Sequence, residues 1–356
     1  MISLATTKIK IFMIEVTTPC RLHFGLLAYN PDEDRQFGGL GMMVQQPCIR
    51  IRVQLADQFQ AVGPESDRAI AFAKTFLQES QVQTQVKGVR IEVLDIPRAH
   101  TGLGTGTQLG MAVARGMAEL TGQGNLGVNE LAHLVKRGQR SAIGAHGFFH
   151  GGLIVEGGKR RPGSLSPMLV QQPFPQDWRV LLMAAKSLVG LDGSLERQAF
   201  AKMPPVPRQV TAELCRLVML GLLPAVIERD LDTFGKSLHE LQQRVGACFK
   251  SSQGGIYAAP LLDDIVRFIR SHGAQGVGQS SWGPTLYAIV ENDAAAESLA
   301  GAVRDAFDLD DEEVLVTRPD NQGCRVSHIR NHADTEMDED GDRNANANKD
   351  VNAGDD

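Results

Sequence analysis

The chain has 356 residues, 42% of them hydrophobic, with 36 basic side chains against 42 acidic ones. This length predicts two domains, each large enough to bury a core. The acidic excess lies in residues 331–356, which hold nine acids and two bases and leave residues 1–330 with 34 bases and 33 acids. That balance excludes a strongly acidic surface and a basic nucleic-acid-binding face.

Cysteine usage and hydropathy predict the compartment. The five cysteines are scattered and form no C-x-x-C pair, which argues against a disulfide framework and a zinc site. A reducing cytoplasm suits such a chain. No uninterrupted apolar run reaches the roughly 20 residues that span a bilayer, and the N-terminal segment lacks the cleavage site of a signal peptide. The sequence therefore predicts a cytoplasmic protein that binds neither membrane nor nucleic acid.

The first half of the chain alternates predicted strands with glycine-rich turns. β-branched content and alternating apolar residues indicate the strands, whereas apolar residues recurring every three or four positions indicate the helices. Strands are predicted at 9–17, ended by Pro19, at 49–53 and at 89–94, and helices at 67–78 and 106–120.

The second half follows a stretch rich in Gly, Pro and Ser at 157–177, which marks the predicted boundary between domains of residues 1–165 and 166–330. Its predicted elements are a strand at 178–183, helices at 208–222, 231–245 and 261–272, a Gly/Ser loop, a strand at 285–290, a helix at 293–306 and a strand at 313–317. This order is an α+β pattern. Residues 331–356 are too polar to build a core and are predicted to form a disordered acidic tail.

The segment HTGLGTGTQLG, residues 100–110, follows a predicted strand and opens a predicted helix. Its glycines let the backbone approach a ligand, and a helix N-terminus offers unpaired N–H groups and partial positive charge. The predicted phosphate-binding residues are Gly102, Leu103, Gly104, Thr105, Gly106, Thr107 and Gln108. The hydroxyls of Thr105 and Thr107 are also predicted ligands of a Mg²⁺ ion. The alternative is a tight turn in which a threonine caps the helix.

Three segments are similar, in the same order, to the three motifs of the GHMP kinase superfamily: TPCRLHFG at 18–25, GLGTG at 102–106 and GVGQSSWGP at 276–284. The resemblance implies an N-terminal domain like domain 2 of ribosomal protein S5 and a ferredoxin-like C-terminal domain. It places the active site in the cleft between them.

A closer resemblance, to one branch of that superfamily, covers residues 13–330. It is carried by the segments 21–26, 102–109, 140–158, 190–200, 223–238 and 278–288. It implies a phosphoribosyltransferase of methanopterin biosynthesis, which joins 5-phosphoribosyl 1-pyrophosphate to 4-hydroxybenzoate or 4-aminobenzoate. Carbon dioxide and pyrophosphate leave, and a β-ribofuranosyl-benzene 5′-phosphate remains. A homodimer is also expected.

Two departures from the kinase motifs favour this transferase over an ATP-dependent small-molecule kinase. Superfamily kinases carry G-L-G-S-S, whose second serine helps hold Mg²⁺, but Gly106 stands there in this chain. Many also carry S-G-x-x-D, whereas Ala145 stands where that acid would fall. A kinase and a noncatalytic phosphate-sensing protein stay open as alternatives, distinguished by ADP formation and by ligand binding without product.

The transferase chemistry selects the remaining candidate residues. Departure of pyrophosphate from the ribose C1 concentrates negative charge on the leaving group, which calls for cations. Arg21 and Arg140 are predicted to supply them, and His23 and His146 are the predicted bases. Each has an alternative: ion pairing at a surface or a helix end for the arginines, and packing for the histidines.

The late glycine motif supplies most of the predicted substrate-binding residues. These are Gln279, Ser280, Ser281, Trp282 and Gly283, together with Ser141 from the segment 140–158. The indole of Trp282 suits stacking on a benzoate ring. Core packing is the alternative for this side chain.

Overall fold

The computed structural model describes residues 12–80, 86–161, 163–188, 190 and 193–330. The strands are β1 (Phe12–Ala28), β2 (Phe37–Ala56), β3 (Gln60–Val62), β4 (Gly88–Asp95), β5 (Leu153–Glu156), β6 (Met168–Gln172), β7 (Arg179–Met183), β8 (Gly276–Gln279), β9 (Leu286–Val290), β10 (Val314–Thr317) and β11 (Arg325–Arg330). The helices are α1 (Ser66–Glu79), α2 (Thr105–Leu120), α3 (Val128–Leu134), α4 (Ile143–His150), α5 (Gly193–Lys202), α6 (Arg208–Leu217), a π-helical turn (Val218–Leu222), α7 (Leu223–Glu228), α8 (Leu231–Gln253), α9 (Pro260–Ser271) and α10 (Asp293–Phe307). The predicted tail at 331–356 lies outside the described residues.

The first sheet is built on the long pair β1 and β2. Its strand order is β11-β1-β2-β4-β3, and β5 pairs with β2 and β6 with β5. All neighbours are antiparallel except β3 and β4. β2 pairs with β5 near its start and with β4 near its end, so a single strand carries two branches of the sheet. The buried, amphipathic helix α2 packs against β1 and β2.

The predicted end of the first strand at Pro19 is wrong. β1 continues to Ala28, and its pairing with β2 shifts register after Pro19 and again after His23. Proline has no N–H to give to the ladder, but a bulge accommodates it. The continuation matters for function because it carries Arg21 and His23 across the sheet.

The second sheet has the order β10-β7-β9-β8, with every neighbour antiparallel. Its edge strand β8 occupies Gly276–Gln279, which the sequence predicts as part of a loop. Two glycines hide the strand signal there, since glycine has a low strand propensity. They also let α8 lie close to the sheet, where a Cβ on Gly276 would contact the Cα of Gly235 at 3.2 Å.

Both β6 and β11 belong to the first sheet although they follow residue 165. The first sheet therefore contains strands from both sides of the predicted boundary between residues 165 and 166. The predicted domain limits stay a prediction. One helical stretch, Arg208–Glu228, is long and apolar enough to cross a membrane by length and composition, and 44% of its most apolar window is buried. The core helices of soluble proteins can be equally long and apolar, so this is weak evidence for a membrane-spanning segment.

Candidate active site

A cleft of about 670 Å³ opens where the two sheets approach each other. The second half of β1, the loop that opens α2 and the segment 136–141 form one side. Helices α5 and α8 and the loop after β8 form the other. The three segments that resemble superfamily motifs, distant in sequence, thus meet at one place.

The glycine-rich loop brings a helix N-terminus into this cleft. Gly104 precedes α2 in the left-handed conformation, with φ of 73°, and no side chain caps the helix. The N–H groups of Thr107 and Gln108 bond to the Gly104 carbonyl oxygen. The first N–H groups of the helix, on Thr105 and Gly106, precede the intrahelical ladder. The predicted residues Gly102, Gly104, Thr105, Gly106 and Thr107 all line the cleft.

Arg21 lies beside that loop. Its N–H donates to the Leu103 carbonyl oxygen at 3.0 Å, and its Nη1 donates to that of Gly102 at 3.1 Å. Its Nε is buried without a partner among the described residues. Burial lowers the pKa of Arg21 to about 10, although the nearby carboxylates of Glu196 and Glu156 oppose the shift. The guanidinium remains charged at neutral pH, and Arg21 lines the cleft.

Three further cations line the cleft that the sequence did not single out: Arg68, Lys136 and Arg137. The Arg68 guanidinium lies over the start of α2, because a Cβ on Gly106 would collide with its Nη2. Burial, together with the charges of Arg68 and Arg140, lowers the pKa of Arg137 to about 10. Its Nε is also buried without a partner in the described structure. Arg68 and Lys136 each pair with a glutamate outside the described lining, but the clustering of these cations with Arg137 in one cleft suits a polyanion.

Arg140, a predicted residue, completes the cluster. It pairs with Glu196 at 2.7 Å, and its guanidinium carbon lies 4.8 Å from the centre of the Phe200 ring. Its Nη1 is buried and unpaired among the described atoms. The described lining holds five Arg or Lys side chains and one carboxylate, that of Glu196. The excess of cations suits a ligand with several phosphate charges.

His23 is buried at the floor of the cleft. Its Nε2 lies 3.1 Å from Ser141 Oγ, and its backbone is bound at both polar groups by Ser280 and Ser281 of the loop after β8. Burial, and secondarily the charge of Arg21, hold its pKa well below the ordinary histidine value. At neutral pH the imidazole is therefore uncharged and can accept a proton.

Three aromatic rings form the opposite wall. Trp282 lies edge to face with Phe249, at 4.7 Å between ring centres, and with Phe200, at 5.3 Å. All three line the cleft, together with the predicted Gln279, Ser281 and Gly283. Only Trp282 was singled out from the sequence, because nothing local marks Phe200 on α5 or Phe249 on α8. The wall offers an apolar surface against which an aromatic ring can pack.

Four predicted site residues are not among the described residues that line the cleft. The Leu103 side chain is buried in the core, and His146 bonds through Nε2 to the Ser166 carbonyl oxygen at 2.8 Å. Gln108 accepts from the Thr18 hydroxyl and donates to the Gly144 carbonyl oxygen. Ser280 donates to the Gly102 carbonyl oxygen at 2.7 Å. Gln108 and Ser280 brace the cleft from behind.

The donors for a metal ion are few. In the described part of the chain, no group of three or more His, Cys, Asp or Glu side chains is arranged to hold one. Thr105 and Thr107, the predicted Mg²⁺ ligands, do line the cleft, as does Glu196. This donor set fits Mg²⁺, which commonly takes its ligands from substrate phosphates and water with few protein groups.

Comparison with known proteins agrees with this architecture. The model of the GHMP kinases N terminal domain matches residues 67–152, and that of the GHMP kinases C terminal domain matches residues 222–309. The beta-ribofuranosylphenol 5′-phosphate synthase of Archaeoglobus fulgidus is 35% identical over 331 residues, covering 88% of this chain and 99% of the relative. The chain belongs to this synthase family. The enzyme of the same name from Methanothermobacter thermautotrophicus is 30% identical, with 87% and 97% covered.

Solved structures support the same fold. A homoserine kinase from Cytophaga hutchinsonii superposes with a TM-score of 0.66 at 19% identity, covering 92% of this chain and 100% of the kinase. A mevalonate diphosphate decarboxylase from Staphylococcus aureus gives 0.63 at 12% identity, covering 89% and 98%. The predicted two-part α+β fold of the GHMP kinase superfamily is thereby confirmed, as is the resemblance to its synthase branch.

Proposed function

We propose that the protein is a phosphoribosyltransferase of methanopterin biosynthesis. It condenses 5-phosphoribosyl 1-pyrophosphate with 4-hydroxybenzoate or 4-aminobenzoate, releases CO₂ and pyrophosphate, and forms a β-ribofuranosyl-benzene 5′-phosphate. The observation that carries the proposal is the pairing, in one cleft, of five cationic side chains with a wall of three aromatic rings. The family's relatives, named for a ribofuranosylphenol phosphate product, support it.

The cationic end of the cleft suits the phosphoribosyl donor. Pyrophosphate leaves C1 with the electron pair of the C1–O bond, so negative charge grows on its oxygens as the bond breaks. The guanidinium groups of Arg21, Arg137 and Arg140 line the cleft and are available to those oxygens. Because the donors are fixed before the reaction, they stabilise the developing charge without reorganisation.

Magnesium fits the same end. We propose that a Mg²⁺ ion is held mainly by the pyrophosphate. Thr105, Thr107 and Glu196 line the cleft and would supply the protein's oxygen ligands. When bound, the ion neutralises charge on the leaving group.

The aromatic end suits the acceptor. The benzoate ring packs against Trp282 and Phe249, which direct its carboxylate-bearing carbon toward C1. That carbon forms the new bond to C1, and the bond to the carboxylate then breaks. Its electron pair restores the aromatic ring, and CO₂ leaves. A base that removes the proton of the para group during attack and returns it afterwards lowers the barrier, and neutral His23 is suited to the role.

The test uses the full-length protein with Mg²⁺, phosphoribosyl pyrophosphate and carboxyl-labelled 4-hydroxybenzoate, repeated with 4-aminobenzoate. We expect labelled CO₂ and pyrophosphate in equal amounts, and neither product when one substrate is omitted. Arg137→Ala should lower kcat/KM by about 10² or more, since a charge-stabilising donor is lost. Arg52→Ala is the matched control, because that arginine pairs with Glu15 outside the cleft. Folded protein that releases no CO₂ would overturn the proposal, and ADP formed from ATP and a small alcohol would favour a kinase.

A further inference from the structure

A chain of hydrogen-bonded polar groups leads from the cleft floor into the protein. His23 Nε2 lies 3.1 Å from Ser141 Oγ, and Ser141 Oγ donates to Glu156 Oε1 at 2.6 Å. The other oxygen of Glu156 accepts the Ala142 N–H at 2.7 Å. Glu156 ends β5 and is completely buried. It does not line the cleft itself, and the sequence did not mark it.

When Glu156 is ionised, the proton count along this chain fixes the state of the imidazole. A serine hydroxyl has one proton to donate, and here it goes to the Glu156 carboxylate. Ser141 Oγ must then accept from His23, which requires the proton of the imidazole to lie on Nε2. The other ring nitrogen, Nδ1, keeps its lone pair and has no hydrogen-bond partner among the described residues.

We propose that Glu156 is a positioning residue. Acting through Ser141, it holds His23 in the Nε2-protonated tautomer and leaves Nδ1 as the proton acceptor for the cleft. The use of that acceptor rests on the proposed function: Nδ1 takes the proton of the acceptor's para hydroxyl or amino group as the ring carbon bonds to C1. The imidazolium returns the proton when the bond to CO₂ breaks, so the histidine is unchanged at the end.

The surroundings support the ionised form of Glu156. Burial raises its pKa, but the bonds from Ser141 and Ala142 and the charge of Lys159 oppose that shift. Both oxygens receive a donor, as those of a carboxylate do. The charged group that faces His23 is Arg21, which favours the neutral imidazole. Each of these contacts is satisfied by an ionised glutamate beside an uncharged, Nε2-protonated histidine.

Glu156 also has a structural role that a test must separate from positioning. Its bond to Ala142 N–H satisfies the N-cap residue that directly precedes α4. Glu156→Gln preserves that bond through the amide oxygen, while the amide NH₂ donates to Ser141 Oγ. The Ser141 hydroxyl is then free to donate to His23 Nε2, which moves the imidazole proton to Nδ1. The substitution therefore reverses the tautomer while keeping the shape.

The decisive measurement is the ¹⁵N NMR spectrum of the imidazole nitrogens at neutral pH, with His23 assigned from the spectrum of His23→Gln. We expect a protonated Nε2 in the wild-type protein and a protonated Nδ1 in Glu156→Gln. Asp320→Asn is the control, because Asp320 is another buried carboxylate that accepts backbone N–H groups but does not line the cleft. It should leave the wild-type pattern. A wild-type Nδ1–H, or an unchanged tautomer in Glu156→Gln, would overturn the proposal.

Kinetics provide the second measurement. Glu156→Gln should lower kcat by about 10²-fold, the typical contribution of a general base, while the rise in melting temperature caused by phosphoribosyl pyrophosphate stays at its wild-type value. Ser141→Ala breaks the chain but leaves the Glu156–Ala142 bond, so a comparable loss of kcat is expected. Full activity in both variants would contradict positioning. If the wild-type protein transfers no phosphoribosyl group, the proposed function fails, and the NMR result still decides the tautomer.

Discussion

At the scale of single residues, the protonation of His23 sets how activity depends on pH. An ordinary histidine has a pKa near 6.5, and the pKa of His23 lies well below that value. The imidazole therefore stays neutral as the pH falls through 6.5. We expect the acid limb of the kcat/KM profile that belongs to His23 to lie below pH 6.5. The unfolded chain takes up this proton near pH 6.5 while the folded protein does not, so stability also declines below that pH.

The measurement is kcat/KM from pH 4.5 to 8.5, with melting temperatures over the same range. The groups that act on His23 are Arg21, on the same strand, and Glu156 through Ser141. His23→Gln should remove the limb and lower the activity. A limb at or above pH 6.5 that vanishes in His23→Gln would show that burial does not suppress its protonation.

The candidate site was partly predictable at this scale. Compact motifs whose residue types indicate phosphate chemistry contain Arg21, His23 and the 102–107 loop. Arg68 and Glu156 could not be found in this way, because each reaches the site only through packing: Arg68 from α1 onto the start of α2, and Glu156 from the end of β5. Their neighbours in sequence carry no sign of that role.

At the scale of elements, two loops from distant parts of the chain interlock at the cleft. Gly102 has φ of 85°, and a Cβ there would collide with the Ser280 carbonyl oxygen. The Gly102 carbonyl oxygen in turn accepts from Arg21 and from the Ser280 hydroxyl. We expect Gly102→Ala to push the loops apart, to lower the free energy of unfolding, and to raise the KM for phosphoribosyl pyrophosphate by more than tenfold.

A matched control separates backbone strain from the collision. Gly122, after α2, has φ of 72°, but a Cβ there would meet nothing within 4 Å. Gly122→Ala should cost about 1 kcal/mol from the left-handed conformation alone and leave KM unchanged. Denaturant unfolding and steady-state kinetics of both variants check this. Equal losses of stability, with KM unchanged in both, would show that the loops do not depend on close approach.

Most predicted helices and strands lie close to their observed limits. β4, β7, β9 and β10 lie within one residue of theirs, whereas α8 runs to Gln253, eight residues beyond its predicted end. α1, α2, α9 and α10 lie within one or two residues of their predicted limits, because a repeat of three to four residues needs no partner to be read. Strand limits depend on pairing. β1 passes Pro19 because a bulge accommodates it, and β8 forms despite two glycines because β9 supplies its ladder.

At the scale of the whole molecule, the net charge of the chain is opposite in sign to the charge of the cleft. The chain carries a net charge of −6, yet its described cleft is lined by five cations and one carboxylate. The proposed anion site is therefore local and partly buried, where salt screens interactions less than at the surface. The overall acidity, which the sequence assigns to residues 331–356, gives no indication of this site.

The end of the described chain returns to its beginning. β11 pairs with β1 over six residues, from Phe12↔Arg330 to Thr17↔Arg325, and Val326 packs against the core. The strand that β11 covers continues directly to Arg21 and His23. Deleting residues 325–356 would expose the edge of β1 and leave the first part of this strand paired with β2 alone. We expect a fall in melting temperature of at least about 5 °C, corresponding to more than about 1 kcal/mol, and lower activity.

Deleting only residues 331–356 is the matched truncation, because it leaves every β1–β11 pair in place. The sequence predicts that this acidic segment adds nothing to the core, so the melting temperature and kcat/KM should match those of the full chain. Calorimetry and the CO₂-release assay on the two truncations distinguish the contributions. If the shorter deletion alone lowers the melting temperature or activity, the acidic segment has a structural or functional role that its composition conceals. If both truncations are as stable as the full chain, β11 does not hold the first sheet, and the positions of Arg21 and His23 depend on β2 and the glycine loop alone.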